Sequence, residues 1–475
     1  MDILNSVTSI IITILGLFYA YNVIYLIIGF FGKSKKFEET GEKKKYAIVI
    51  SARNEEKVIG NLLDSLNKQN YDKKLLKIFV VADNCTDNTA KICRSKGATV
   101  YERFDPSKAR KGWALEFLFE NIKRDYGIET YDGYIIFDAD NVVDSNFVHE
   151  INKAMVKNSG GVAVGYRNTK NFGTNVISSA YGLHFGRSIL TRHRPRQLIG
   201  SATHLAGTGY CISSELIRDG WHFHTLTEDT EFTMDCVSKG VKIVYCEEAE
   251  FYDEQPTNFF VAFRQRMRWT RGRLVVFFKY FTRLVKGIFT RKNGRWACYD
   301  MLAYVSPNAL FKLVISAIYP ITSAIIALAS HQALPYITWL TAIGSGILSS
   351  YLTNFGQGIL ILIKEQKHIK CSKWKQAFYV LCWPWFDLIN IPLLVLSCFI
   401  PVKWKPILHK DTTKIEELTG DEQEVIESSF QPTPPKSNGL TVIPLPYKTR
   451  SLAQTIPTLC RDYDMVKERY KNLKL

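Results

Sequence analysis

Across 475 residues and ten cysteines, the sequence has no C-x-x-C pair and no cysteine–histidine cluster at zinc-site spacing. That absence excludes a zinc finger or a redox dithiol as its organising chemistry. The cysteines, from Cys85 to Cys460, read as reduced thiols, the state expected of a catalytic part in the cytosol. Acidic residues are also short, with 45 Asp and Glu against 61 Lys and Arg, for a formal charge of +16. Such an excess fits nucleic acid, phosphorylated substrates or an anionic membrane surface. Placement favours the membrane, because much of it borders apolar runs, at residues 33–45, 264–273, 364–375 and 403–410. Membrane lipids are therefore the expected partner, and nucleic acid is not.

Charge is missing altogether from residues 7–31, a run long enough to cross about 30 Å of hydrocarbon as a helix, with Lys33, Lys35 and Lys36 directly after it. A signal peptide carries its basic residues before a shorter apolar run, whereas here Asp2 precedes and the lysines follow. The pattern predicts a membrane anchor with its N-terminus outside and the chain after it in the cytosol. Further apolar runs at 313–330, 334–363 and 377–400 predict three more crossings, the last interrupted by Pro384, Asp387 and Pro392. Strict alternation leaves the tail outside, yet Lys403, Lys405, His409 and Lys410 favour inside, so a re-entrant segment or a further crossing is needed. Residues 274–300 are amphipathic and basic, as interfacial helices are. The proline-bearing stretch 431–446 reads as a linker and 459–475 as a short helix.

Between residues 46 and 252 short apolar runs alternate with helical, charge-bearing stretches, the signature of an α/β domain with a largely parallel sheet. Strands are predicted at 46–51, 77–82, 133–138 and 161–166. Helices are predicted between them from Val58, Leu62, Leu63 and Leu66, and from Trp113, Leu115, Phe117, Leu118 and Ile122. Ligands of such sheets bind at the carboxyl ends of strands.

The first strand runs into Ser51, Arg53, Asn54 and Glu55, and the second into Asp83, Asn84 and Asp87. Backbone groups and a carboxylate there can grip a uracil ring and a ribose; a turn with a helix N-cap satisfies the same residues. The third strand ends in Asp138-Ala139-Asp140. Two carboxylates one residue apart on a buried strand end can hold a divalent ion against a diphosphate; the competing reading is a capped turn. Lys111, after Lys108 and Arg110 at a helix start, faces phosphate oxygens or belongs to a solvated basic turn. Thr227-Glu228-Asp229, downstream of Gly207-Thr208-Gly209, offers a carboxylate that can take a proton from an acceptor hydroxyl, or caps the following helix. Gln265-Arg266-Met267-Arg268-Trp269 sets a guanidinium beside an indole, a pairing suited to a pyrophosphate and a sugar ring and equally at home in a membrane interface. The basic stretch 191–197 gates the site or touches phosphates, or is a solvated loop.

Taken in order, and flanked by apolar segments, these motifs resemble family 2 inverting glycosyltransferases of the GT-A fold, notably the processive branch that includes cellulose, hyaluronan and poly-N-acetylglucosamine synthases. The resemblance implies an α/β GT-A catalytic domain, nucleotide-sugar-binding and Rossmann-like, inserted between transmembrane helices. The layout it implies is an anchor at 1–32, a cytosolic catalytic domain at 33–273, interfacial helices at 274–311, a transmembrane region at 312–402 and a tail at 403–475. It implies Asp229 as the catalytic base and Mg2+ or Mn2+ on Asp138 and Asp140. Ser51, Arg53, Glu55, Asp83, Lys111, Asp138 and Arg268 would hold a UDP-sugar donor, and Gly207, Thr208, Glu228, Gln265 and Trp269 the acceptor. The implied reaction is a single inverting displacement that forms a β-linkage. A growing polysaccharide is the leading acceptor, a membrane lipid the alternative, and a catalytically silent scaffold the reading from another class. Nothing resembles the cyclic-di-GMP-binding barrel of some cellulose synthases.

Overall fold

The structure, a computed structural model, describes residues 2–331, 333–402 and 406–419. The linker and the short helix expected at 431–446 and 459–475 lie outside the described residues, as does Cys460; the described cysteines are all free thiols.

Alternation along the central strands builds the core. In β1 (Tyr46–Ala52) every residue but Ser51 is buried, and neighbours point to opposite faces of the sheet. Ala47 and Val49 pack with Leu115, Leu118 and Ile122 of the helix Lys111–Asp125 on one face. Ile48 and Ile50 pack with Leu62, Leu63 and Leu66 of the helix Ile59–Asn67 on the other. A strand covered on both sides reads as an unbroken apolar run, and for that reason β1, β2 (Leu76–Asp83), β4 (Gly133–Asp138) and β6 (Val162–Thr169) coincide with predicted strands.

With β3 (Thr99–Arg103), β5 (Val142–Val143), β7 (Tyr210–Ser213) and β8 (Ile243–Asp253), they form one eight-stranded sheet in the order β3-β2-β1-β4-β7-β6-β8-β5. The sheet is mixed rather than largely parallel, since β7 runs antiparallel to both β4 and β6, and β5 antiparallel to β8. The chain leaves β1 towards β2 and β3 on one side and reaches β4 on the other, so the crevice beyond β1 is a topological switch point. Register levels its polar ends: Ser51 sits opposite Asp138, while Ala52 sits opposite Ala82, one residue before Asp83.

Past the sheet, the helix Phe259–Thr290 packs against the helix Glu228–Lys239, and the helix Arg295–Val305 folds back on it. Three described stretches are long and apolar enough to cross a membrane: Ser9–Phe31, Tyr336–Lys364 and Lys373–Phe399. The run predicted at 313–330 lies in the helix Asn308–Ala329, of which the described apolar part is only Pro320–Ala329. The interrupted last run comprises two helices, Lys373–Leu388 and Asn390–Phe399, that meet at Ile389. Its acid is not stranded, because Asp387 pairs with Arg187 of the helix Val176–Ser188 at 3.0 Å.

Residues 406–419 pack on the sheet domain. Lys410 and Asp411 donate backbone N–H groups to Glu254, and Ile415 and Leu418 pack against Val142 and Tyr252.

Candidate active site

A cavity of about 270 Å³ opens at the strand ends. Of the residues singled out in the sequence, Ser51, Arg53, Glu55, Asp83, Lys111, Asp138, Asp140, Gly207, Glu228, Asp229, Gln265, Arg268 and Trp269 line it. Thr208 does not. It is buried behind the wall, where its hydroxyl accepts from Asp138 N at 2.9 Å and also bonds Asn141, so it braces the Asp138–Asn141 turn.

On the first wall, Asp83 is held from both sides by Arg53 and by Arg103, whose Nη1 donates to Oδ1 at 2.7 Å. The helix-capping alternative falls to other residues: Asp87 accepts from Thr89 N, and Glu56 from Asn88 N. That leaves Asp83 for the cavity. Arg103 was not singled out in the sequence, although strand pairing sets it directly opposite Asp83.

Lys111 is no solvated turn. Its ammonium pairs with Asp138 and donates to Gly207 O at 2.7 Å. It can reach there because Gly112 has no side chain: a Cβ would lie 2.2 Å from Phe223 O. Asp140 accepts from Glu254 N at 3.1 Å, and the His409 imidazole stands 3.9 Å from it and 3.0 Å from Glu55. Burial alone would depress His409, but Asp140, Glu55 and Glu254 outweigh it and raise the group to about 10. The expected divalent ion fits this corner by donor type, since two carboxylates offer hard oxygens and Asp138 keeps a partly exposed side chain.

On the opposite wall, Glu228 and Asp229 open the helix Glu228–Lys239. Thr227 does not cap it: its hydroxyl has no partner, while Glu231 accepts from Thr225 N at 3.0 Å. Burial raises both carboxyls, and the Asp229 charge raises Glu228 further; Lys111 and Arg268 restrain each. Arg268 and Trp269 come from the helix Phe259–Thr290, which crosses at Gly272, where a Cβ would lie 2.6 Å from Thr227 Oγ1. Within the same motif, Arg266 faces away and donates to Phe386 O at 2.7 Å and Asn390 Oδ1 at 2.5 Å. Among the described residues, the buried Gln265 side-chain oxygen has no hydrogen-bond partner.

Arg167, Arg273, Tyr304 and His409 also line the cavity and were not assigned to the site from sequence, and Arg192 lines it from the basic stretch 191–197. Arg167 pairs with Asp253 and donates to Ala206 O at 2.7 Å. The stretch 191–197 is helical rather than a solvated loop, and Arg194 and Arg196 are buried in ion pairs with Glu247, Glu365 and Asp300.

The family model described as glycosyltransferase like family 2 matches residues 44–272, the segment that holds both walls. Residues 44–272 form a family 2 glycosyltransferase domain, the domain of a transferase enzyme. Among curated proteins, the chain is 25% identical over 272 residues to the probable glycosyltransferase YdaM of Bacillus subtilis, a match over 52% of this chain and 60% of that protein. It is 30% identical over 152 residues to the UDP-forming cellulose synthase A catalytic subunit 9 of Oryza sativa subsp. japonica, covering 31% of this chain and 13% of that protein. The fold matches the mannosyltransferase PcManGT of Pyrobaculum calidifontis, solved with GDP-Man and Mn2+, at a TM-score of 0.53 and 13% identity. That match covers 82% of this chain and 99% of PcManGT. The sheet and crevice of this domain are accordingly those of a GT-A-like glycosyltransferase.

Proposed function

We propose that the chain is a membrane-bound inverting glycosyltransferase that moves a sugar from a UDP-sugar to an acceptor hydroxyl at the cytosolic face and forms a β-linkage. The observation that carries this reading is the shared cavity: Asp229, Asp83, Lys111, Asp138, Asp140 and Arg268 all line it, with Lys111 and Arg268 near enough to restrain the Asp229 charge. Asp83, Arg53, Ser51 and Glu55 take the nucleoside, while Lys111 and Arg268 take the diphosphate. Asp138 and Asp140 would hold Mg2+ or Mn2+, which when bound neutralises charge on the leaving diphosphate. The Mn2+ bound with GDP-Man in PcManGT supports a divalent ion, and the UDP-forming rice synthase supports UDP as the leaving group.

Asp229 removes the proton from the acceptor hydroxyl as its oxygen attacks the sugar C1, and the C1–O bond to UDP breaks with its electron pair leaving on the diphosphate. One base suffices for this single displacement. The three apolar stretches and the basic residues beside them support a multi-pass membrane protein with the catalytic domain in the cytosol.

A growing polysaccharide is one reading of the acceptor, supported by the Trp269 indole in the cavity wall, which offers a platform for a sugar ring. Addition of one sugar to a membrane lipid is the second reading, favoured by the Arg192 and Arg273 side chains at the same cavity. A silent scaffold accords poorly with an intact base, acid pair and phosphate cations. Asp229→Asn is expected to keep UDP and Mn2+ binding, measured by calorimetry, and to lower transfer of radiolabel by at least about 10²-fold. Transfer at the wild-type rate would remove Asp229 from its role.

A further inference from the structure

Three guanidinium groups surround the ring of Tyr304, with Cζ atoms 5.0 Å (Arg192), 5.1 Å (Arg273) and 5.5 Å (Arg196) from its centroid. Arg196 is neutralised by Asp300, at 2.8 and 2.7 Å. Among the described residues, neither Arg192 nor Arg273 has a carboxylate within ion-pair distance, yet both line the cavity that holds Asp229. Two part-buried cations beside one aromatic ring, without counter-charge among the described residues, cost folding energy, and an anion bound between them would recover it. Burial above all, with Arg273, Arg187 and Arg196 close by, pulls Arg192 down to about 10 even against the Tyr304 phenol.

The donor does not need this pair, since Lys111 and Arg268 already face its diphosphate. Arg273 lies one turn beyond Trp269 on the same helix, about 6 Å further along the axis, and so extends the wall on the acceptor side. That end is built against apolar helices: Tyr21 and Tyr25 donate to Asp300 at 3.0 and 2.9 Å, and Tyr299 donates to Phe18 O at 2.6 Å, all from the helix that carries Tyr304 or its N-terminal neighbours. An anion carried on an acyl chain suits such a border of apolar helices.

We propose that Arg192 and Arg273 form a subsite for the phosphate of a glycerophospholipid acceptor, whose free headgroup hydroxyl is thereby held against Asp229. The inference rests on the transferase reading of the cavity and decides between its two acceptors. Phosphate recognition by paired guanidinium forks needs no metal and tolerates no neutral headgroup equally well.

The test uses the purified full chain in a phosphate-free amine-oxide detergent with Mn2+ and a panel of radiolabelled UDP-sugars. Three acceptors share a glycerol hydroxyl: phosphatidylglycerol, diacylglycerol without phosphate, and glycerol 3-phosphate without acyl chains. UDP release and solvent-extractable label are both read. Phosphatidylglycerol is expected to show a KM at least about tenfold below that of diacylglycerol, the worth of one charge-assisted contact, and glycerol 3-phosphate to be a poor acceptor. Arg192→Gln and Arg273→Gln should each collapse that preference, with a larger change in acceptor KM than in donor KM, and Arg192→Lys should retain part of it. Equal use of diacylglycerol and phosphatidylglycerol overturns the phosphate subsite, and equal use of glycerol 3-phosphate overturns its lipid assignment. A high-molecular-weight glycan made without any phospholipid overturns the inference while leaving the transferase reading intact. No UDP release from any donor overturns both.

Discussion

Asp229 has to be an anion where burial disfavours anions. Its carboxyl is raised by desolvation and restrained by the Thr230 backbone N–H and by Lys111, Arg268 and Arg167. A base works only when deprotonated, so activity is lost as pH falls through its raised value, and the acid limb of kcat/KM lies above the ordinary carboxylate range near ~4. Arg268→Gln removes one restraint and is expected to move that limb to higher pH. A limb that stays in place when the pH profile is measured would assign the titration to another group. The residues of this site that the sequence disclosed are those that sit in contiguous motifs, as Arg268 does beside Trp269. Arg167 and His409 were not legible, because each reaches the cavity from a segment whose path only tertiary packing defines, and Arg103 braces Asp83 from a strand whose pairing the sequence does not disclose.

Elements bring these side chains to one place through close approaches that depend on missing side chains. Gly209, at φ +66, passes so near Phe251 that a Cβ would lie 1.9 Å from the ring, and it tightens the turn that sets Gly207 and Thr208 behind Asp138. Gly272 does the same for the long helix where it crosses Thr227. Gly272→Ala should push the Arg268–Trp269 turn off the Glu228–Asp229 pair and cost about 10²-fold in kcat/KM, the scale of a 1 Å misplacement. UDP affinity, which depends mainly on the strand-end wall, should change far less, and parallel losses in both would indicate general unfolding. The central strands were legible because burial on both faces leaves unbroken apolar runs. β8 was not, because Glu247, Glu248 and Glu250 interrupt it with charges, two of which are paired within the fold, Glu247 with Arg194 and Glu250 with His368. Without β7 and β8 the mixed character of the sheet could not be read.

At the scale of the whole molecule, the apolar helices and the catalytic domain meet through a polar seam. Arg187 binds Asp387 with two nitrogens, donates to Asn354 Oδ1 at 3.1 Å and lies 5.0 Å from the Trp383 ring centroid. An aspartate in the last apolar run looked like an obstacle to a crossing in the sequence, since its partner lies 200 positions earlier. The seam also supports the site, because the helix Val176–Ser188 that carries Arg187 presents His184, Phe185 and Ser188 to the cavity, and Phe185 backs the Arg167 guanidinium at 3.9 Å. Asp387→Asn leaves Arg187 with a part-buried charge and no acid, at a cost of about 3 kcal/mol. The half-life of transferase activity in detergent at elevated temperature should shorten accordingly, and Arg187→Leu alone should shorten it too. The paired replacement Arg187→Leu with Asp387→Leu removes both desolvated charges at once and should recover much of the loss. If the double variant instead shows the sum of the two single losses, the ion pair does not couple the apolar helices to the catalytic domain, and the packing of Trp383 and Phe386 around Tyr181 must hold them together by itself.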